Sequence, residues 1–379
     1  MHICDLTTLY IDGGEGGVNT YLTEKARYLA AHGGAGQHTI IVPGATDAKR
    51  TLFRSTLYTV KSPRFFYNPH HRVVTDHRGI KRLLEAVKPD VVEVDCVYFL
   101  GRWALAALGR RKVPLVGFYH THLPSFYARP LMQRFGNAVS QRVETWAWHY
   151  ITYCMQPLDK VFVASNDLYE RLLPRVDKKI EQVPLGVNLD LFRPRRSCLS
   201  RLHSERPVIL YVGRLSQEKD LAVLFEAFRR LNRCGRYHLR IVGDGPLRSQ
   251  TESFVRTTPY VSYDGLVPYG PQLAELYANA DVLALPSRNE TFGLTILEAL
   301  ASGIPVVAVK QGGPATLLPT HAGALAIPGE AEDFAEKLLQ VLAERPTAQH
   351  CRSYVTQHFS WDKTFMKLVD IYDNLHRAV

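Results

Sequence analysis

Asp281-Val-Leu-Ala-Leu-Pro286, followed after a short gap by Glu290-Thr-Phe-Gly-Leu-Thr-Ile-Leu-Glu298, reads as a buried strand, a Phe-Gly turn and an apolar helix. A short continuous apolar run leading into a helical pattern marks a parallel sheet covered by helices. Two carboxylates flank the turn. A helix beginning near Phe292 aims its first backbone N–H groups at whatever precedes it, and this is a natural seat for phosphate. Glu298 then lies about 9 Å further along the helix axis. That offset lets phosphate meet the N–H groups while ribose hydroxyls meet Glu298, and leaves Glu290 for the group beyond the phosphates. The run reads as a sugar-nucleotide site.

Working outward, the same alternation continues through the chain. In the first half, strands are expected at Ile3–Leu6, His38–Val42, Val91–Val94, Leu115–Tyr119 and Val161–Ala164, with helices near Val18–His32, Arg78–Val87, Arg102–Leu108 and Pro130–Ile151. The second half restarts with strand Pro207–Val212 and a helix from Asp220 to Cys234. Strands His238–Val242, Val261–Tyr263, Val282–Leu285 and Val306–Val309 follow, with helices near Leu247–Arg256, Leu273–Asn279, Gly293–Ser302 and Glu332–Ala343. Pro184–Arg206 breaks both periodicities and reads as the join between two domains. A last helix, Trp361 to about His376, spaces Trp361, Phe365, Leu368, Val369 and Tyr372 as an apolar stripe that needs a partner. Two domains also suit a chain of 379 residues.

The net charge is +10 and is unevenly placed. The first 200 residues hold 27 Lys and Arg against 17 Asp and Glu, and the remainder hold 19 of each. The densest stretch is Lys49–Arg82, where Lys49, Arg50, Arg54, Lys61, Arg64, Arg72, Arg78, Lys81 and Arg82 face only Asp76. It is a solvated face, a seat on anionic lipid, or a contact with an anionic substrate; each such cation near an anionic leaflet is worth about 1 kcal/mol. No aromatic-basic ladder or nucleic-acid module accompanies it, so nucleic acid is not an expected partner. No stretch has the roughly 18 apolar residues of a spanning helix, and the first residues lack the layout of a secretion signal. The six cysteines are scattered without a C-x-x-C pair. A reduced, cytoplasmic setting is expected, with no disulfide framework or metal cluster.

Several strand ends carry polar groups of the kind that do chemistry. Ile3–Leu6 leads into Asp12-Gly-Gly-Glu-Gly-Gly17, where Gly16 and Gly17 leave backbone accessible to a ligand; a tight turn is the plainer reading. The spacing is not the G-x-G-x-x-G of dinucleotide sites, which lowers the case for a nicotinamide cofactor. Leu115–Tyr119 ends in His120-Thr-His122, too sparse for a metal site, and His120 is either a cleft-facing group or a structural hydrogen bond. Pro207–Val212 runs into Gly213-Arg214, and Glu218-Lys219 follows. Arg214 and Lys219 can grip a diphosphate, each charged contact worth roughly 1.5–3 kcal/mol. Lys219 reads as the start of a helix, a place where an ammonium fits the dipole poorly without an anion nearby. Asp244, in Val242-Gly-Asp-Gly-Pro246, reads as a helix cap, and Glu93-x-Asp95 as a structural pair.

Taken in order, the Gly16-Gly17-Val18 loop, His120, Gly213-Arg214…Glu218-Lys219, Val242–Pro246 and Glu290-x7-Glu298 make the chain resemble the family-4 retaining glycosyltransferases of the GT-B fold. Pro184–Pro194 resembles the family's inter-domain passage, and Phe359-Ser-Trp361 the start of its C-terminal crossover helix. The resemblance implies an α/β protein of two Rossmann-like, doubly wound domains facing across a cleft. Residues 1–190 plus helix 361–379 would hold the acceptor, and 191–360 the nucleotide-sugar donor. It implies that Arg214 and Lys219 hold the donor diphosphate, helped by Gly16, Gly17 and the backbone of Phe292, Gly293, Leu294 and Thr295. Glu298 would bind the ribose, Glu290 the transferred sugar's hydroxyls, and His120 would sit beside the reacting sugar. The family needs neither a protein nucleophile nor a metal or other cofactor, the nucleotide sugar being a substrate. Its chemistry is mainly charge stabilisation of a leaving diphosphate.

Tyr119-His-Thr-His-Leu-Pro-Ser-Phe-Tyr127 is most similar to members that glycosylate lipids, the mannosyl and sulfoquinovosyl transferases. Those more often carry Asn or Asp at His122. A hexosyltransferase is expected, moving a sugar from GDP-mannose or a UDP-hexose to a hydroxyl on a lipid or glycan, peripherally at a membrane. The other expectation is a soluble sugar or sugar-phosphate acceptor on the same scaffold. The basic first half and the Pro130–Ile151 helix, with Met132, Phe135, Val139, Val143, Trp146 and Trp148, fit an acceptor at an anionic membrane; a core helix in a basic but soluble enzyme is the plainer reading.

Overall fold

The computed structural model describes residues 1–11, 16–34, 36–65, 68–95, 97–109, 112–120, 136–176, 179–194, 206–233 and 235–378. The chain divides into two compact units, Met1–Pro184 with Trp361–Val379, and Leu185–Ser360. The division at Pro184/Leu185 lies inside the stretch where both periodicities break, slightly before the expected 190/191.

The first unit is an eight-stranded sheet in the order β10-β9-β8-β7-β1-β2-β4-β3. Its strands are β1 (His2–Leu6), β2 (Gln37–Gly44), β3 (Ala48–Leu52), β4 (Ser55–Lys61), β7 (Val91–Val94), β8 (Leu115–Phe118), β9 (Lys160–Val163) and β10 (Ile180–Gln182). All pairs are parallel except β3 with β4. A small hairpin, β5 (Arg64–Phe65) with β6 (Asn68–Arg72), stands apart from the sheet. Helices α1 (Gly17–His32), α2 (His77–Val87), α3 (Phe99–Leu108), α4 (Asn137–Met155) and α5 (Asn166–Leu172) connect them. The second unit is a six-stranded, all-parallel sheet in the order β13-β12-β11-β14-β15-β16. It comprises β11 (Val208–Val212), β12 (His238–Val242), β13 (Val261–Tyr263), β14 (Val282–Leu285), β15 (Val306–Val309) and β16 (Gly323–Ala326). Its helices are α6 (Leu221–Leu231), α7 (Arg248–Thr257), α8 (Pro271–Ala278), α9 (Leu294–Ala301), α10 (Gly313–Leu317), α11 (Ala331–Glu344) and α12 (Ala348–His358). In both sheets the strand order reverses beside the first strand, between β1 and β7 and between β11 and β14. A doubly wound sheet takes ligands at the carboxyl ends of the strands flanking such a reversal.

The central strands are continuous apolar runs because helices cover both their faces. Val-Leu-Ala-Leu of β14 and Val-Val-Ala-Val of β15 are buried throughout. The last helix, α13 (Trp361–Arg377), belongs to the first unit, where Trp361, Phe365, Leu368 and Tyr372 are buried. Phe365 packs at 5.6 Å from both Tyr21 and Tyr28 of α1, which supplies the partner that the apolar stripe requires. Val369 is only half-buried.

Some expectations need correction. β3 and β4 form an antiparallel addition where the sequence offered only a basic stretch, and α5, α10 and α12 lie where no helix was expected. Of the Pro130–Ile151 helix, Asn137 onward is described as α4; Met132, Phe135, and the segment containing His122 lie outside the described residues. The Lys49–Arg82 cations are spread over several elements: Lys49 and Arg50 on β3, Arg54 in the turn after it, Lys61 on β4, Arg64 on β5, Arg72 on β6, and Arg78, Lys81 and Arg82 on α2; Arg72 donates to Ser62 O at 2.6 Å. Among the described residues no helix is long and apolar enough to cross a membrane, and Cys4, Cys154 and Cys351 are free thiols.

Candidate active site

In the second unit the loops after β11 and β14 lie at the reversal, and they carry the expected donor-site residues. After β11, Gly213–Ser216 leads into a 3-10 turn, Gln217–Lys219, and Asp220 adopts a left-handed backbone before α6 begins at Leu221. Lys219 therefore closes a turn ahead of the helix and does not start the helix. This loop is fastened to the one after β12. Gly213 N donates to Val242 O at 3.0 Å, Leu215 N to Asp244 O at 2.9 Å, and Leu247 N to Leu215 O at 2.8 Å. Gly243 permits the approach: its φ is +136° and a Cβ there would fall 1.9 Å from Gly213 O. Asp244 is not a helix cap. It accepts from its neighbour Gly245 N at 2.8 Å, and α7 starts later, with Leu247 as its N-terminal flank.

The geometry brings Lys219 and Glu290 together. Nζ of Lys219 lies 2.5 Å from Glu290 Oε2, with only 16% and 18% of the two side chains exposed. Arg214 is held differently. Its guanidinium donates to Glu218 at 2.8 Å, and the Ser216 hydroxyl donates to the same Glu218 oxygen at 2.6 Å. Burial works against ionisation of Glu218, but the Ser216 hydrogen bond and Arg214 hold its carboxyl below the usual range. Glu218 is thus an anion that holds Arg214 through a charge-assisted hydrogen bond.

Glu290, Thr291 and Phe292 precede α9, and Gly293, with φ +106°, flanks its N-terminus. The helix starts at Leu294 where Phe292 was expected, so Leu294 and Thr295 are its first two residues. Gly313 N fixes the loop by donating to Glu290 O at 2.9 Å. A Cβ at Gly313 would lie 2.6 Å from Phe292 O. Glu298 is buried one turn into α9 and accepts from the Tyr277 hydroxyl at 2.7 Å. Tyr277 and the Gly312-Gly313 pair escaped the sequence reading. The strand–glycine–helix pattern Val306–Val309, Gly312-Gly313 carries a signal for the second; nothing local marks Tyr277, which arrives from α8.

The first unit places Gly16 just before α1, with φ +151°; Asp12–Glu15 lie outside the described residues. His120 follows β8, its Nε2 3.2 Å from Asp95 Oδ1. Its ring stacks on Phe118 at 4.3 Å and meets Tyr21 at 5.0 Å. Burial first, then the Lys25 ammonium, drives its pKa down to about 3, so the imidazole is neutral at physiological pH.

Beneath His120 lies a buried ionic cluster that Glu93-x-Asp95 only hinted at. Asp5 of β1 pairs in register with Glu93 of β7, and α1 sends Lys25 between them. Lys25 Nζ is 2.6 Å from Asp5, 3.0 Å from Glu93 and 3.1 Å from the Tyr372 hydroxyl of α13. Glu93 also accepts from Tyr21 at 2.6 Å and from Tyr372. Asp5 meets His38 Nε2 at 2.7 Å. Carboxylate oxygens of Asp5, Glu93 and Asp95 come within 4.8 Å of one another, as metal ligands do. Lys25, however, brings its own cation to two of these three acids. Burial opposes its charge, but Asp5 and Glu93 hold the ammonium well above its ordinary pKa.

Residues 15–191 match the family described as Glycosyltransferase Family 4, and residues 200–358 the one described as Glycosyl transferases group 1. A GDP-mannose-dependent alpha-mannosyltransferase of Mycobacterium tuberculosis is 33% identical over 76% of this chain and 74% of its own length. The sulfoquinovosyl transferase SQD2 of Arabidopsis thaliana is 31% identical over 69% of this chain, which spans about half (51%) of that plant protein. Among solved structures, a sucrose-phosphate synthase from Thermosynechococcus elongatus superposes with a TM-score of 0.81 at 21% identity, covering 100% of both chains. With two units built on mainly parallel sheets, and these family matches and relatives, the chain belongs to glycosyltransferase family 4 and has the GT-B fold.

Proposed function

We propose that the protein transfers a hexosyl group, with retention of configuration, from a nucleotide-diphosphate sugar to a hydroxyl on a membrane lipid or glycan. The observation that carries this reading is the pairing of Lys219 with Glu290 across the sheet reversal of the second unit, beside Arg214 and the start of α9. An ammonium, a guanidinium and helix N–H groups suit a leaving diphosphate, whose charge grows as the glycosidic bond breaks. In this reading Lys219 leaves Glu290 for the phosphates, and Glu290 turns to the sugar hydroxyls. Glu298, held by Tyr277, takes the ribose. His120 is assigned to the transferred sugar, and no metal is required. GDP-mannose and UDP-hexoses are the donors to test first, since one relative is GDP-mannose-dependent by name.

A panel of labelled nucleotide sugars, with anomeric analysis of the product, tests this. Lys219→Ala or Glu290→Ala should lower kcat by about 10²–10³ while leaving the circular dichroism spectrum unchanged. Wild-type rates in both variants would remove the proposed site.

A lipid acceptor is favoured by α4, which exposes 67% of Trp146, 50% of Tyr153 and 40% of Val139. Arg102 lies 3.9 Å from the Tyr153 ring, adding a cation to this aromatic face. Flotation with anionic vesicles at low and high salt separates the two acceptor classes. Failure to float at either salt concentration supports the soluble acceptor.

A further inference from the structure

Asp95 is completely buried at the carboxyl end of β7. Its Oδ1 faces His120 Nε2 at 3.2 Å, whereas Oδ2 has no hydrogen-bond partner among the described residues. Buried carboxylate oxygens do not stay unpaired without a large cost. The Asp95 and Glu93 carboxyls nevertheless bring oxygens within 4.8 Å of each other, near enough for one to donate to the other once protonated. Two ionised carboxylates at that separation repel, while one proton between them turns repulsion into a hydrogen bond.

The surroundings decide which acid holds the proton. Glu93 already receives Tyr21, Lys25 and Tyr372, three donors suited to an anion. Among the described residues Asp95 receives only His120. Lys25 is engaged by Asp5, Glu93 and Tyr372. Among the described residues, the orphaned oxygen of Asp95 gains a partner only by carrying hydrogen toward Glu93.

We propose that Asp95 is a positioning residue for His120 that acts as a neutral carboxylic acid, donating its own proton to Glu93 and accepting the Nε2–H of His120. This pins the neutral imidazole in its Nε2–H tautomer, so that Nδ1 carries the lone pair. Within the glycosyltransferase reading, on which the consequence rests, His120 then meets a sugar hydroxyl as a hydrogen-bond acceptor and not as a cation. Burial, followed by the Glu93 and Asp5 carboxylates, pushes the Asp95 carboxyl well above its usual range. The groups facing this pair are Asp5 on β1, Tyr21 and Lys25 on α1, Glu93 on β7 and Tyr372 on α13.

Nitrogen-15 spectra of the full chain labelled at histidine, with His120→Gln to assign the signal, read the tautomer directly. The expected result is a neutral Nε2–H imidazole that does not titrate between pH 5 and 8. In assays, Asp95→Leu should lower kcat about tenfold, the worth of one good hydrogen bond, with the donor KM unchanged. Asp95→Asn should recover most of that loss, because its amide can donate to Glu93 and accept from His120. An asparagine variant as slow as the leucine variant, or a His120 signal that titrates near pH 6.5 or shows an Nδ1–H form, overturns the proposal. Should Asp95→Leu fail to fold, Asp95→Asn and the spectra still decide. Should the wild type turn over no nucleotide sugar, the functional reading fails, while the tautomer measurement stands independently.

Discussion

Lys25 ties together the buried charges of the first unit's interior. It is 1% exposed and is drawn toward two carboxylates that are wholly buried. An ion pair out of water offsets its desolvation only through close geometry, and removing one member leaves the other stranded. Lys25→Met should therefore cost about 3–5 kcal/mol, against at most about 1 kcal/mol for breaking an exposed pair such as Arg230 with Glu226. Urea unfolding at pH 7 measures both. Nothing in the sequence announced this. Asp5, Lys25 and Glu93 are isolated acids and bases in apolar or helical surroundings, and only strand register and the α1 contact make them neighbours. The residues proposed for the donor were more legible: Arg214, Lys219, Glu290 and Glu298 lie in the loops after β11 and β14 or in the first turns that follow them, where local pattern already restricts position.

At the scale of elements, α8 and α9 show how a residue proposed to bind ribose is set by a helix other than its own. Glu298 projects from α9, but its carboxylate takes the hydroxyl of Tyr277 on α8. Tyr277→Phe removes a single donor from a buried acid. The expected cost is about 1.5–3 kcal/mol in stability of the second unit, together with a raised KM for the nucleotide sugar. A thermal melt and donor kinetics on one preparation check this, and an unchanged KM would separate Glu298 from ribose binding. The fully buried strands of this unit coincide with expectation, since nothing but a covered parallel strand suits Val-Leu-Ala-Leu or Val-Val-Ala-Val. The edge strands β3 and β16 were missed for the opposite reason. β3 is Ala-Lys-Arg-Thr-Leu and mostly exposed, and β16 is Gly-Ala-Leu-Ala; neither carries a β-branched apolar run. The 3-10 turn at Gln217–Lys219 was likewise hidden, because a two-residue delay before a helix leaves no periodic trace.

On the scale of the whole molecule, each unit has its own hydrophobic core, yet only the second is continuous in sequence. The first borrows α13, whose Tyr372 hydroxyl reaches Lys25 and Glu93 and whose Phe365 packs on α1. A chain ending at Ser360 should therefore keep a protease-resistant second unit while its first unit is degraded. Limited proteolysis with mass analysis distinguishes this from uniform resistance, which would show α13 to be dispensable.

The same discontinuity reverses the order in which the ribosome can deliver finished parts. The first unit's strands emerge before the second unit but must wait, with their internal acids lacking the tyrosine that completes their shell, until α13 has been made. The later-made unit closes before it. Nascent chains thus spend much of translation with their leading half unfinished, and a chaperone that shields emerging segments would meet this half for longest.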